Sequence, residues 1–490
     1  MTIRPPSDAG WRIENSYATL PPLLHQRWRL SPVTEPKLVL FNTRLAESLG
    51  LDPDTLRGTD ALFAGNEAPP GSLPLAQAYA GHQFGNFTGL GDGRALLLGE
   101  QISPEGDRFD IQLKGSGRTP FSRSGDGRAA LGPMIREFLI SEAMHALGIP
   151  TTRSLAVSAT GETVYRQEGP LPGAVLTRVA SSHIRVGTFE WVVAHHDFDT
   201  LRILVHYTLQ RHFPSRLDSE NKAESLFEEV MERQATLLAK WMNAGFVHGV
   251  MNTDNMALSG ETIDYGPCAF LDRYDPRAVF SSIDHGGRYA FGNQPAIAQW
   301  NLARLAETLL PLLDEDSENA LSRAQSILNR FAPLFTECWQ RGMRAKLGLF
   351  TQESDDALLA QDLLDGMEKA RADFTNTFAA LTADAPAESL SFGDLGSSKW
   401  HARWKDRLAR QPQPKTEVIA LMRSHNPRVI PRNRVVEKAL DAAVKHDDWE
   451  PVRALLRTLA SPFDYHSTLP DEYTTPPPEG SPPHQTFCGT

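Results

Sequence analysis

The chain has 490 residues, too many for one compact core, so two or three structural units are expected. Its 49 Lys and Arg against 60 Asp and Glu give a formal charge of -11, the opposite of the basic field that nucleic-acid binding requires. No run approaches the roughly 20 apolar residues that cross a bilayer, the N-terminus lacks a signal peptide's apolar stretch, and three cysteines are too few for a disulfide framework. A cytoplasmic protein without membrane or nucleic-acid partners is expected.

Residues 1–75 read as an irregular, Pro-rich leader packing on the core, with one helix around Leu38–Leu49. From 76 to 180, apolar runs such as Ala95–Leu98 and Phe109–Leu113 lie between glycine clusters and predict strands. One helix interrupts them, Ala129–Leu147, with Leu131, Ile135, Phe138 and Leu139 at helical spacing and Gly148 and Pro150 to stop it. Strands resume over Ser154–Gln167 and Val175–Val179. Residues 181–350 are mainly helical, from Phe189 to Gly245 and from Pro295 to about Arg344, on either side of a polar loop, His248–Asp264. A helical extension fills 351–460, broken at Arg410–Pro414, and 461–490 reads as a mobile Pro-rich tail carrying Cys488. The whole is an α+β, two-lobed pattern able to clasp a nucleotide between a strand-rich lobe and a helical one.

Four features stand in the order that a kinase-type ATP site requires. Gly89-Leu-Gly-Asp-Gly-Arg94 precedes a strand, and its glycines Gly91 and Gly93 let backbone N–H groups approach phosphates, with Arg94 adding charge. Taken alone it is more often a plain hairpin turn. Lys114 ends the next strand, placed to neutralise phosphates, and Glu137 in the following helix can hold it. The fourth feature is the most specific: His248-Gly-Val-Met-Asn-Thr-Asp-Asn255, then Asp264-Tyr-Gly266. Asn255 and Asp264 offer oxygen ligands from two segments, suiting Mg²⁺ or Mn²⁺, and Asp254 beside them can accept a proton.

The loop Gly115–Arg128 alternates glycine with Arg118, Arg123 and Arg128 and contains Asp126 and Gly127, flexible and basic enough to wrap a triphosphate. Arg178 and Arg185 flank Ala180-Ser-Ser-His183; they reach the phosphates, or they are a pair of surface arginines. Counting back from Asn255, the position of a protein kinase's catalytic aspartate holds Val250. Valine cannot accept a proton, so the chain is either a silent kinase or one whose chemistry has moved to another carboxylate, with Asp254 in reach.

These residues resemble one family. Tyr79-Ala-Gly-His-Gln-Phe-Gly85, Leu90-Gly-Asp-Gly-Arg94, Gln112-Leu-Lys-Gly-Ser-Gly117, Asn252-Thr-Asp-Asn255 and Asn426-Pro-Arg-Val-Ile-Pro-Arg-Asn433 are similar to motifs of the selenoprotein O (YdiU-like) family. The resemblance implies a protein-kinase-like fold that binds ATP turned around, its α-phosphate facing the acceptor. It implies transfer of AMP to Ser, Thr or Tyr of proteins, with UMP transfer from UTP and Mn²⁺ also attributed to bacterial members. Carried over by motif, Gly91, Gly93, Arg94, Lys114, Asp126, Gly127, Arg178, Arg185 and Asp264 would contact the nucleotide. Asp254 would be the proton acceptor, and Asn255 and Asp264 the metal ligands. Eukaryotic members carry a Cys-x-x-Sec near the C-terminus; here Cys488 alone occupies that region, and a disulfide to Cys268, four residues after Asp264, would gate the site by redox state. The competing readings are a γ-phosphate kinase with relocated catalytic residues and a catalytically silent ATP-binding scaffold.

Overall fold

The computed structural model describes residues 9–167, 169–383, 397–478 and 480–486. The first half supplies strands β1 (Ile13–Glu14), β2 (His25–Arg27), β3 (Lys37–Phe41), β4 (Leu75–Gln77), β5 (Ala80–Gln83), β6 (Asn86–Gly89), β7 (Ala95–Ile102), β8 (Arg108–Lys114), β9 (Ala129–Ala130), β10 (Arg153–Arg166) and β11 (Gly169–Ala180). All but β5 and β6 join one sheet in the order β2-β4-β7-β8-β11-β10-β3, with β1 on β7 and β9 on β11. Both faces of the sheet are covered, so even the polar Asp110 and Gln112 of the central strand β8 are buried. Leu98, Ile111 and Leu113 share a buried cluster with Leu45, Leu56 and Phe63 of three short helices. On the other face Leu97, Val157 and Leu176 join Ile135, Phe138 and Leu139 of the helix Leu131–Ala146.

The leader is more ordered than its composition suggests. Instead of one helix around Leu38–Leu49, Lys37–Phe41 forms a sheet edge with Leu40 opposite Val157, and a shorter helix, Thr43–Ser48, follows. Asn42 separates the two: its side chain accepts the Leu45 N–H at 3.1 Å, an N-cap that starts the helix after the strand.

The second half is helical. Lys222–Ala244 begins where Asn221 Oδ1 accepts the Glu224 N–H at 3.0 Å and ends at Gly245, which releases the chain into the polar loop. Two helices of the extension, Asn433–His446 and Glu450–Leu459, turn back onto the helix Leu131–Ala146: Val436, Leu440 and Leu455 share its cluster, and Arg136 pairs with Glu437. Where the sequence reads as a mobile tail, the described chain after Ser461 is seated on the body. Tyr473 is buried, and Thr486 donates through Oγ1 to the Pro267 carbonyl (2.9 Å) and through N to that of Phe280 (2.8 Å).

The link between the halves, Ala180–Arg185, is tied down by buried polar groups. His183 N and Nδ1 both meet Asp110 Oδ2, at 2.9 and 3.0 Å, while Arg211 Nη2 reaches Asp110 Oδ1 at 2.6 Å. Next to them Ser182 Oγ and His212 Nε2 share a hydrogen bond of 2.7 Å. Burial, then Arg211 and Arg233, lower the His212 pKa from 6.5 to about 3. Between those values the unfolded chain binds a proton at this site and the folded one does not, so stability is lost as pH falls below about 6.5. Thermal melting at pH 7 and pH 5 should show a smaller drop in Tm for His212→Gln than for the native chain; equal drops would exclude this contribution.

Candidate functional site

A cleft of about 820 Å³ opens between the halves, and Gly91, Gly93, Arg94, Lys114, Asp126, Gly127, Arg178, Arg185, Asp254, Asn255 and Asp264 all line it. Glu137 lies behind Lys114. The sheet and the helix Leu131–Ala146 bring the two together, Nζ to Oε2 at 2.6 Å. Arg178, on β11, adds Nη2 contacts of 2.6 Å to Glu137 Oε1 and 2.6 Å to Asp264 Oδ1. Lys114 Nζ also reaches Asp264 Oδ1 (3.0 Å), and Arg185 Nη1 reaches Oδ2 (3.2 Å). Three cations therefore converge on two carboxylates. Burial by itself would raise the pKa of Asp264, but Arg178, Lys114 and Arg185 outweigh it and hold the group well below the usual carboxylate range. Asp264 takes φ +60°, a left-handed conformation that aspartate tolerates better than most residues and that marks functional turns.

Over this floor folds the glycine turn with the loop after β8. Thr119 Oγ1 donates to Asp92 O at 2.6 Å and Ser122 Oγ to Gly93 O, so the loop Gly115–Arg128 is stitched onto the turn. Gly91 has φ +107°, and any side chain there would run into the Phe121 ring. Asp92, between those two glycines, is buried at the edge of the cleft. Its Oδ2 accepts from Gln77 N (3.1 Å) and Gln112 Nε2 (3.3 Å), and burial raises its pKa to about 6. Of the loop arginines, Arg123 and Arg128 both line the cleft, and Arg128 Nη1 also donates to the carbonyls of Ser31 (3.2 Å) and Ser116 (3.0 Å). Asp126 is held from the side by Arg166, Oδ2 to Nη1 at 2.9 Å and Oδ1 to Nη2 at 3.1 Å.

The polar loop supplies the opposite wall. His248 is its anchor rather than a reactive group. Its ring stacks on Trp241 at 5.4 Å, Nε2 meets Ile263 O at 2.8 Å, and burial lowers its pKa, leaving it neutral. That single contact ties the start of the loop to the segment carrying Asp264. Asn255 Nδ2 donates to Val250 O at 2.9 Å, which leaves the amide oxygen for the cleft. Asp254 is only 7% exposed, its Oδ1 is buried without a hydrogen-bond partner, and burial raises its pKa to about 7. Among the described residues no three His, Cys, Asp or Glu cluster as a metal cage. The oxygens of Asn255 and Asp264 suit a hard divalent cation whose remaining positions are filled by phosphate and water.

Several wall residues had no chemical signature in the sequence. The β5–β6 hairpin, Ala80–Gly89, leans on Asp254, and a Cβ at Gly81 would overlap its carboxylate. Tyr79 stacks under Arg185, 4.4 Å from guanidinium carbon to ring centre. Cys268 is fully buried away from the cleft lining, and burial pushes its thiol up to about 12; Cys488 lies outside the described residues.

A family model described as "Protein adenylyltransferase SelO" matches residues 13–460. The chain belongs to the SelO family. Proteins named "Protein nucleotidyltransferase YdiU" are similar to it over nearly its whole length. That of Brevibacillus brevis is 58% identical, with 99% of each chain covered. Those of Bacillus cytotoxicus and Syntrophotalea carbinolica are 57% and 56% identical, covering 99% and 98% of this chain and 98% of their own. Of the SelO-type motifs read from the sequence, Leu90–Arg94, Lys114 and Asn252–Asn255 border the cleft or lie in its wall, whereas Asn426–Asn433 lies outside its lining, with Arg432 paired to Asp272 and Asp373.

Proposed function

We propose that the protein transfers AMP from ATP to Ser, Thr or Tyr hydroxyls of other proteins. The observation that carries this reading is a buried carboxylate with a pKa of about 7, Asp254, in the same cleft as three convergent cations, one of which, Arg185, donates to its carbonyl at 2.8 Å. Lys114, Arg178 and Arg185 hold the polyphosphate, Glu137 keeps the first two in place, and Arg94 with the backbone of Gly91, Gly93 and Gly127 covers it. Asn255 and Asp264 hold Mg²⁺ or Mn²⁺, which when bound neutralises phosphate charge. Asp126, an acceptor already paired with Arg166, suits a ribose hydroxyl or base amine better than a phosphate. Asp254 takes the proton from the acceptor hydroxyl as its oxygen attacks the α-phosphorus, the α–β bridging bond breaks, and pyrophosphate leaves. The lobes take the protein-kinase-like arrangement with the nucleotide reversed. UTP is a second donor, with Mn²⁺ as the metal, and the setting is the cytoplasm.

Incubation with α-³²P-ATP and separately γ-³²P-ATP, with either metal, tests the reading on the protein itself and on lysate. Label from the α-position alone is the expected result. Label from the γ-position alone would make this a kinase with relocated groups, and no label from either would leave a nucleotide-binding scaffold.

A disulfide between Cys268 and Cys488 belongs to the same proposal. Thr486, two residues before Cys488, is bonded to the residue before Cys268, which favours the pairing, while the raised thiol pKa of Cys268 opposes it until the segment opens. Peptide mapping of oxidised protein should recover the Cys268–Cys488 bond; free thiols throughout would end the idea.

A further inference from the structure

Three chain segments far apart in sequence meet behind Asp254, and one buried side chain joins them. Glu190, on the helix Val186–Ala194 and 5% exposed, accepts from Thr253 Oγ1 through Oε2 (2.6 Å) and meets His82 Nδ1 through Oε1 (2.6 Å). Thr253 in turn accepts the His82 backbone N–H at 2.7 Å. The loop Glu190–Thr253–His82 is thus closed on itself, and its outlet toward the cleft is Asp254, the neighbour of Thr253. The hairpin is clamped by a second bond, Phe84 N to Asn252 Oδ1 at 3.2 Å, and Tyr289 OH fixes that same oxygen at 2.6 Å. Gly81, one residue before His82, lies against the Asp254 carboxylate.

We propose that Glu190 is a positioning residue for the transfer step: through Thr253 and His82 it fixes the Asp254 carboxylate and the hairpin relative to one another. This rests on the role given to Asp254 above. Asp254 has one oxygen without a hydrogen bond, and the side-chain contact it does make is to Gln83 of the hairpin itself. Its orientation comes from the backbone on either side and from the hairpin pressed against it, and Glu190 holds both. A carboxylate is suited to this because its two oxygens accept from two donors at once. Misplacing a reacting group by about 1 Å costs on the order of 10²-fold in rate, so loss of the tie should appear in turnover before binding.

The test compares Glu190→Ala, Thr253→Val, the double variant and Glu190→Gln, reading label transfer from α-³²P-ATP to a fixed amount of lysate protein against ATP concentration. Glu190→Ala and Thr253→Val should each lower the rate at saturating ATP by roughly 10–100-fold and leave the half-saturating ATP concentration within about twofold. The double variant should lose no more than the worse single one, since both cut the same tie. Glu190→Gln should recover most of the rate, because its Oε1 can still accept from Thr253 while its N–H donates to His82 in the other tautomer. If Glu190→Ala does not fold, the isosteric Thr253→Val decides alone. A Thr253→Val rate near that of the native chain, a half-saturating concentration rising in step with the rate loss, or multiplying losses in the double variant would overturn the proposal. An Asp254→Asn protein that still transfers label would sink the underlying reading instead, whatever the Glu190 and Thr253 variants do.

Discussion

Asp264→Asn should lose metal-dependent transfer by roughly 10²–10³-fold or more, yet still bind ATP. Two effects separate in this variant. The amide no longer offers the charged oxygen that a divalent cation prefers, so turnover falls with either metal. At the same time Lys114, Arg178 and Arg185 keep their positions but lose the carboxylate that they approach at 3.0, 2.6 and 3.2 Å. Removing one partner of a buried ion cluster costs on the order of 3–5 kcal/mol, so the nucleotide-free variant should melt well below the native chain. ATP in EDTA should then stabilise the variant more than it stabilises the native protein, because the polyphosphate replaces the missing negative charge and no longer faces the Asp264 carboxylate. Thermal shifts with and without ATP in EDTA read this directly. Equal shifts in the two proteins, or label transfer that survives the change, would reject the assignment of Asp264.

Asp254→Asn separates proton transfer from binding. The amide has the carboxylate's shape and fits against Gly81 without the overlap that a side chain at that glycine would bring. It cannot take a proton. The rate of AMP transfer should fall by roughly 10²–10⁴-fold, the usual worth of a positioned general base, with ATP affinity measured by calorimetry little changed. The native group suits this task because burial raises its pKa to about 7, close to working pH. A variant that binds ATP and transfers at the native rate would remove Asp254 from the mechanism.

The parts of the cleft legible in the sequence are those whose partners are close along the chain or follow in a fixed order. Lys114 at the end of a strand and Glu137 in the next helix are 23 residues apart, and strand order alone predicts their pairing. Asn255 and Asp264 share one loop. Arg178 and Arg185 stood undecided between phosphate ligands and surface residues, because nothing local distinguishes the two; their burial comes from Asp264, 86 and 79 residues away. The hairpin against Asp254 was harder still. Its link to Thr253 spans 171 residues, and the sequence Ala-Gly-His-Gln carries no period that announces such a contact. Asp92 shows the same limit: nothing in the turn sequence tells that its carboxylate accepts from Gln77 and Gln112, 15 and 20 residues away. The edge strand Lys37–Phe41 was missed because its apolar run flows into the following helix, and only the cap at Asn42 separates them.

The seating of Thr486 on Pro267 also sets a timetable for synthesis. The two residues are 219 apart, and at about 5–20 residues per second a ribosome needs roughly 10–45 s to reach the second after the first. Throughout that interval the segment following Asp264 exists without its last hydrogen-bond partner. A nascent chain therefore carries every residue of the cleft long before the segment beside it is fastened, and premature termination or a frameshift late in translation would release a molecule with a complete set of site residues but without the contact of Thr486 to Pro267.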